Sequence, residues 1–527
     1  MANTTTTLLT TEERRALYDS PVLNDPERTE YFTFNNDEVK TRNSFKKLDD
    51  AIYFAISLAF FKLKYTLVNF RYRDVTLERQ HVMQRYFSNQ PTPRSFSNNK
   101  DVIARIENKV LETVGFSRFR GQKSETIIAI LQKQAPLYPR QRQLCKALLN
   151  LLIKENIAIP ALTTIQDCVT RIWNNEHFRI IKAYYRYTNK VQRELVLSLL
   201  NKTDEKNCIV SIRKDMKQFN TTDIHKELDK HEQLKAVFFI AKVVLPKLNL
   251  PAATIDYYAS LINYYNGARL KQLNSDTIHL YLLCYSYSRF QIINDNLLEA
   301  FRKRTLDYTA KAKSEANNEA AKFIDELQTV RQKVHDLLMV IKNDKHKTSI
   351  PKSKLFRCVP ESELASTAQI LLSDKLDKHL LFWLYIDQNA HCIALNLRPL
   401  FLNLDISIVR NDMLKEVVTF MKQNVGVDNI ISAPPYLIDW VKKSKEDFSY
   451  IVHDGVIHAK RLEFLLYKQL AHHIETNKLV LEHSIKHKAI EDNFIKLPKW
   501  KKDKSKLLQS LPYPKLRDAP NTLLQEK

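Results

Sequence analysis

The sequence predicts a mainly α, multidomain fold: helical bundles with helix-turn-helix-like hairpins and one long coiled-coil-like helix. Three observations point there. Only five glycines occur in 527 residues, and none lies between Gly267 and Gly426, whereas average usage is about 7%. Tight hairpins and phosphate-cradling loops need glycine where the backbone takes positive φ or approaches a ligand. Apolar residues recur at spacings of three and four over most of the chain, the period of a helix with one packed face. Hydrophobic residues at 44% exclude a disordered chain, and the length implies roughly three or four domains.

Taken in order, Thr10-x-x-Glu13 is a capping box that opens a helix over EERRALYDS, hydroxyl and carboxylate each satisfying a free amide. Pro21 and Pro26 loosen the chain after it. Periodicity predicts helices over about 44–64 and 76–87, completing an N-terminal DNA-binding module at 1–87. SNQPTPRSFSNNK (88–100) is rich in Ser, Asn and Pro and reads as a linker. A second helical DNA-binding domain spans 101–245, with helices in DVIARIENKVLETVGF, SETIIAILQKQAP and RQRQLCKALLNLLIKENI. IPALTTIQDCVTRIW follows, with Thr163 and Gln166 as a second capping box after Pro160. Two helices joined by ENIAIP resemble a helix-turn-helix whose second helix enters a major groove, which would bring Thr164 and Gln166 to base edges. Any αα-hairpin in a bundle gives the same text. LPKLNLP (245–251) is a break, and a tyrosine-rich helical dimerisation or scaffold region covers 246–350. Its last helix carries Phe323, Leu327, Val330, Val334, Leu337 and Ile341 at alternating spacings of four and three, a seam that wants a partner helix. A further helical region covers 351–527.

Charge narrows the function. Lys plus Arg number 82 against 59 Asp plus Glu, giving +23, the balance of a protein that neutralises phosphates. No basic amphipathic helix with a Trp or Phe face argues for a membrane surface. AIYFAISLAFF (51–61) is the nearest approach to a transmembrane run, and Lys62 and Lys64 stop it. MANTTTTLLTTEERRALYDSP has no basic region followed by an apolar core, so the expected location is cytoplasmic and, in a bacterium, nucleoid-associated. The six cysteines are scattered without short pairing, as structural thiols of a reducing compartment are.

HFRIIKAYYRYTNKVQREL (177–195) is the most informative stretch. Arg179, Lys182, Arg186, Lys190 and Arg193 recur every three or four residues, so they form one basic stripe on an amphipathic helix whose polar side is cationic. Tyrosines beside the stripe can hydrogen-bond phosphates or stack on bases; a solvated face with core tyrosines gives the same pattern.

Signals for catalysis are thin. G-x-x-x-x-G-K-[ST], G-x-G-x-x-G, G-x-S-x-G and H-E-x-x-H are all absent. His483 and His487 would lie one turn apart on a helix, at a spacing that also fits a metal pair. His458-x-x-Arg461 resembles a phosphate-holding fragment of tyrosine recombinases, yet the tyrosines after it are Tyr467 and Tyr513, neither well spaced as the nucleophile. A metal-dependent nuclease or recombinase would need converging carboxylates such as Asp387 and Asp405. Leu397, Phe401, Leu404 and Ile408 fit one face of a helix beginning near Pro399, which makes Asp405 structural.

Several blocks together resemble the replicative transposases of the Tn-three class: LTTEERRALYDSP (9–21), IPALTTIQDCVTRI (159–172), RFQIINDNLLEAF (289–301), LRPLFLNLDIS (397–407) and LEFLLYKQLAHHIETNKLVLEHSIKHKAIEDNF (462–494). The resemblance implies helical DNA-binding domains that recognise terminal inverted repeats, followed by a dimerisation scaffold. It places Asp405 in a block before the catalytic domain. In that family the catalytic Asp, Asp and Glu lie in an integrase-like domain after the counterpart of this chain's end, so no position here carries a catalytic role and no cofactor is expected. Magnesium would enter only with a separate catalytic domain. The implied partners are double-stranded DNA of the inverted repeats, a second copy of the chain, and a separately encoded catalytic chain if this is not a truncated transposase. KLKYTLVNFRYRDVTLERQ (62–80) departs from the Pro- and Gly-rich segment usual there. The rivals are a metal-dependent nuclease or recombinase and an RNA-binding or interaction scaffold.

Overall fold

The computed structural model describes residues 8–200, 209–265, 267–343, 349, 351–372, 377–409, 411–431, 433–445, 447–489, 497–498, 500–501 and 504. Tyr513 and the LPYPKLRDAPNTLLQEK end lie outside them. The fold is mainly α. In chain order come α1 Thr11–Tyr18, α2 Asp25–Tyr31, α3 Asn36–Asn43, α4 Leu48–Lys64, α5 Thr76–Tyr86, α6 Lys100–Val114, α7 Gly121–Gln134, α8 Gln141–Lys154, α9 Leu162–Tyr187 and α10 Lys190–Ser198. They continue with α11 Ile209–Ile212, α12 Thr221–Val244, α13 Ala252–Tyr264, α14 Gly267–Gln272, α15 Ser275–Asn343, α16 Lys352–Cys358, α17 Leu364–Leu371, α18 Lys378–Gln388 and α19 Ala390–Asn403. Then follow β1 Ile406–Ile408, α20 Asp412–Gln423, β2 Asn429–Ile430, α21 Pro435–Lys442, α22 Phe448–Ile451, β3 Val452–His453, β4 Val456–His458, α23 Ala459–Glu475 and β5 Leu479–Leu481. No helix among the described residues is long and apolar enough to cross a membrane. Two compact units form, residues 1–201 with 237–287 and residues 202–236 with 288–527.

Two hydrophobic cores stand out among the described residues of the first unit. One is built around α4, whose apolar run is buried on every side, as a helix without a polar face must be. Tyr53 stacks on Phe70 with ring centroids 4.6 Å apart, and Phe61 meets Phe116 edge-on at 5.1 Å. Residues 88–100 separate no cores: they are irregular until α6, but Phe96 is buried against Tyr53, Phe70 and Tyr72, and α4 and α6 share this core. The other core joins α7, α8 and α9 through Leu131, Leu144, Leu148, Ile165, Val169 and Ile172.

The Thr10–Glu13 capping box forms as read. The Thr163–Gln166 box does not. Helix α9 begins at Leu162 with Ala161 as an N-cap that supplies no side-chain acceptor. Its start is set by the preceding chain: the Ala158 amide donates to Ser117 O at 2.9 Å and the Ile159 amide to Tyr65 O at 2.8 Å. These bonds tie 157–159 to both cores, so Thr163 falls inside the first turn. The α8–α9 connection, 155–161, is longer than the three- or four-residue turn of a helix-turn-helix.

In the second unit β1 pairs antiparallel with β5, Ile406 opposite Leu481, and β2, β4 and β3 form a three-stranded sheet in that order. Asp454 and Gly455 both take positive φ and close the β3–β4 hairpin. Helix α15 runs through 69 residues, of which 275–287 belong to the first unit and 288–343 to the second. Its expected seam is graded: Phe323 and Val330 are buried, Leu327, Val334 and Leu337 partly so, and Ile341 is exposed.

Candidate nucleic-acid interface

Helix α9 is 26 residues long and anchored along its length. Its first half fills the α7–α8 core with Ile165, Cys168, Val169 and Ile172. Its second half is held by the segments that follow α12. Arg179 Nη2 donates to Leu248 O at 3.0 Å, the Tyr185 hydroxyl donates to Asp276 at 2.5 Å, and His177 Nε2 lies 3.3 Å from Thr277 Oγ1. Burial lowers the His177 pKa, so the ring is neutral at pH 7. Thr164, Arg171, Asn174, Asn175, Phe178, Lys182 and Arg186 are exposed. From Thr164 the steps are 7, 4, 3, 4 and 4 through Arg171, Asn175, Phe178, Lys182 and Arg186, which keeps these side chains on one side of the helix. From Arg171 to Arg186 the face is about 22 Å long. The carboxylates of α9 are Asp167 and Glu176, and Arg179 engages Glu176.

The continuous stripe expected over 177–195 is broken. Helix α9 ends at Tyr187, Thr188 is extended, and Asn189 starts α10 with its own capping box to Gln192. Lys182 and Arg186 remain exposed on α9, with no carboxylate partner among the described residues. Lys190 is exposed on α10, 3.9 Å from Glu194. Arg179 serves the fold instead, pairing with Glu176 through two bonds of 2.7 Å, which raises its pKa further, and holding Leu248 O. Arg193 donates to Thr188 O at 2.7 Å and lies over the Tyr185 ring at 4.9 Å, fastening the α9–α10 junction. Thr164 and Gln166 are both exposed, but residues two apart on a helix point to different sides, and Thr164 is the one on the face of Lys182. Sequence reasoning missed Arg171, Asn174, Asn175 and Phe178. Stepping the period back from Lys182 would have found three of them.

Among the groups considered for catalysis, Asp387, Arg461 and Tyr467 serve the fold. Arg461 donates to both Asp387 oxygens at 2.5 to 3.2 Å and to Tyr450 O at 2.7 Å, with His458 Nε2 3.9 Å from Asp387. Asp405 is exposed just after α19, and its carbonyl accepts from the Glu482 amide. Helix α19 runs through Pro399 instead of starting there, and Ile408 belongs to β1. Tyr467 is buried with its hydroxyl on Glu463 at 2.6 Å. His483 and His487 are not on a helix: His483 takes positive φ in the turn after β5, and its carbonyl accepts from Asn294 at 3.0 Å. Among the described residues no three His, Cys, Asp or Glu side chains come together as a metal site.

The blocks of the resemblance are instead joined to each other. Tyr18 of the first donates to Pro160 O of the second at 2.8 Å. Arg398 of LRPLFLNLDIS pairs with Glu463 of LEFLLYK at 3.0 and 2.9 Å. Asp295 of RFQIINDNLLEAF accepts from the Ser484 hydroxyl and from the Ile485 and Lys486 amides at 3.3 and 3.2 Å. Its neighbour Asn296 donates to buried Glu227 at 3.0 Å.

Residues 8–172 match the family model of DUF4158, a domain of unknown function. DUF4158 is found at the N-terminus of Tn-three family transposases. The DUF4158 match takes in the core around α4 and the core of α7 to α9, and closes inside α9, one residue past Arg171. No curated protein matches the chain.

Proposed function

We propose that this protein binds double-stranded DNA as the recognition part of a Tn-three-type transposition system, reading transposon terminal inverted repeats. The observation that carries the reading is the outward face of α9, where Arg171, Lys182 and Arg186 are exposed and make no ion pair among the described residues, on a helix pinned at both halves. A cationic face of about 22 Å spans several phosphates of a duplex, and Thr164, Asn174 and Asn175 add short donors and acceptors for phosphates or base edges. The net charge of +23 and the DUF4158 match support the same reading. In the second unit, the mutual bonding of the family-like blocks supports a scaffold role. Competition binding tests the proposal: a labelled inverted-repeat duplex from the element encoding the chain should be held at least tenfold more tightly than a scrambled duplex of equal length. Equal affinities would remove the recognition claim.

A further inference from the structure

Resting on that reading, we infer that Phe178 is a stacking residue that takes an unpaired or unstacked DNA base. The ring is 68% exposed at the middle of the cationic face. Asn174 lies one turn before it, Lys182 one turn after it, and Arg171 two turns before it. The other aromatic rings of the helix are engaged. Trp173 stacks on His177 at 5.3 Å and donates to Pro139 O. Tyr184 is buried, Tyr185 is bonded to Asp276, and Tyr187 lies under Lys247 at 4.9 Å. Among the described residues no ring or cation covers Phe178. Exposing an apolar ring to water is unfavourable, and the charges around it select an anionic occupant over an apolar protein surface. A nucleic acid supplies both needs at once: phosphates for Arg171 and Lys182, and a base whose π-face covers the ring. In an intact duplex every base is already stacked, so the ring gains its partner only where a base has left the stack or a step has been wedged open.

The test uses the full chain and two labelled 30-base-pair duplexes of one sequence, intact or carrying a single unpaired adenine bulge, read by fluorescence anisotropy. Wild type should hold the bulged duplex about tenfold more tightly. Phe178→Ala should erase that preference, with an unchanged salt dependence. Phe178→Trp should restore the preference. Circular dichroism of each variant should match wild type, as expected for an exposed side chain. Wild type that binds both duplexes equally, or Phe178→Ala that keeps the preference, would overturn the stacking role while leaving DNA binding intact. Absence of binding to either duplex at low salt would overturn the DNA reading itself.

Discussion

Replacing Asp295 by alanine should weaken the second unit by about 3 to 5 kcal/mol. Asp295 is 4% exposed, and its carboxylate serves three donors: the Ser484 hydroxyl and the amides of Ile485 and Lys486 at 3.3 and 3.2 Å. A bond to a charged acceptor contributes about 1.5 to 3 kcal/mol, and a buried donor left unpaired costs about 1 to 3. Ser484 is buried, so its hydroxyl bears the larger loss, whereas the two amides belong to exposed residues that water can reach, about 1 kcal/mol each. Asp295→Asn keeps an acceptor and should lose roughly half as much. A chain of two compact units need not unfold in one step, so amide hydrogen exchange of the peptide 479–489, read by mass spectrometry, is the direct assay. Asp295→Ala should raise its exchange rate by at least a hundredfold, with slower change elsewhere in the second unit. Unchanged protection of 479–489 would refute the claim that this carboxylate fastens the segment after β5 to α15.

Arg398→Ala leaves Glu463 buried with Tyr467 as its remaining partner and should cost about 3 kcal/mol in urea unfolding; Arg398→Lys, lacking the two-pronged fit, should recover only part. Thr10→Ala should cost about 1 kcal/mol locally, seen as faster exchange of the α1 amides and little change in the urea midpoint. Burial lowers the folded-state pKa of both His177 and His231 below 6.5. The unfolded chain therefore takes up protons first as pH falls, so their stabilising contribution is complete above about 6.5 and shrinks below it. The urea midpoint should be lower at pH 5.5 than at 7.5, and His231→Gln should lessen the drop; a midpoint that rises on acidification contradicts the assignment.

The helical architecture was legible because one period dominates most of the chain. The run 51–61 announces itself by composition, and α4 buries it on all sides. Local punctuation was harder to weigh. Asn189-x-x-Gln192 is a capping box in plain text, and reading past it produces a continuous stripe where the chain turns. The Asp-Gly of HDGVIH is a hairpin signal that glycine scarcity argues against; one glycine suffices when the residue before it is an aspartate in the left-handed region. Two of the five stripe cations, Arg179 and Arg193, serve the fold because their partners, Leu248 O in one case and Thr188 O with the Tyr185 ring in the other, depend on how the chain folds back. No periodicity encodes a contact between Asp295 and Ser484, 189 positions apart.

The central claim is that the α9 face neutralises DNA phosphates. The salt dependence of binding tests it most directly: log K for a 30-base-pair duplex against log salt between 50 and 200 mM, for wild type and for Arg171→Ala, Lys182→Ala and Arg186→Ala combined. Three lost phosphate contacts should make the slope shallower by about 2.7. An identical slope in the triple variant would contradict the account.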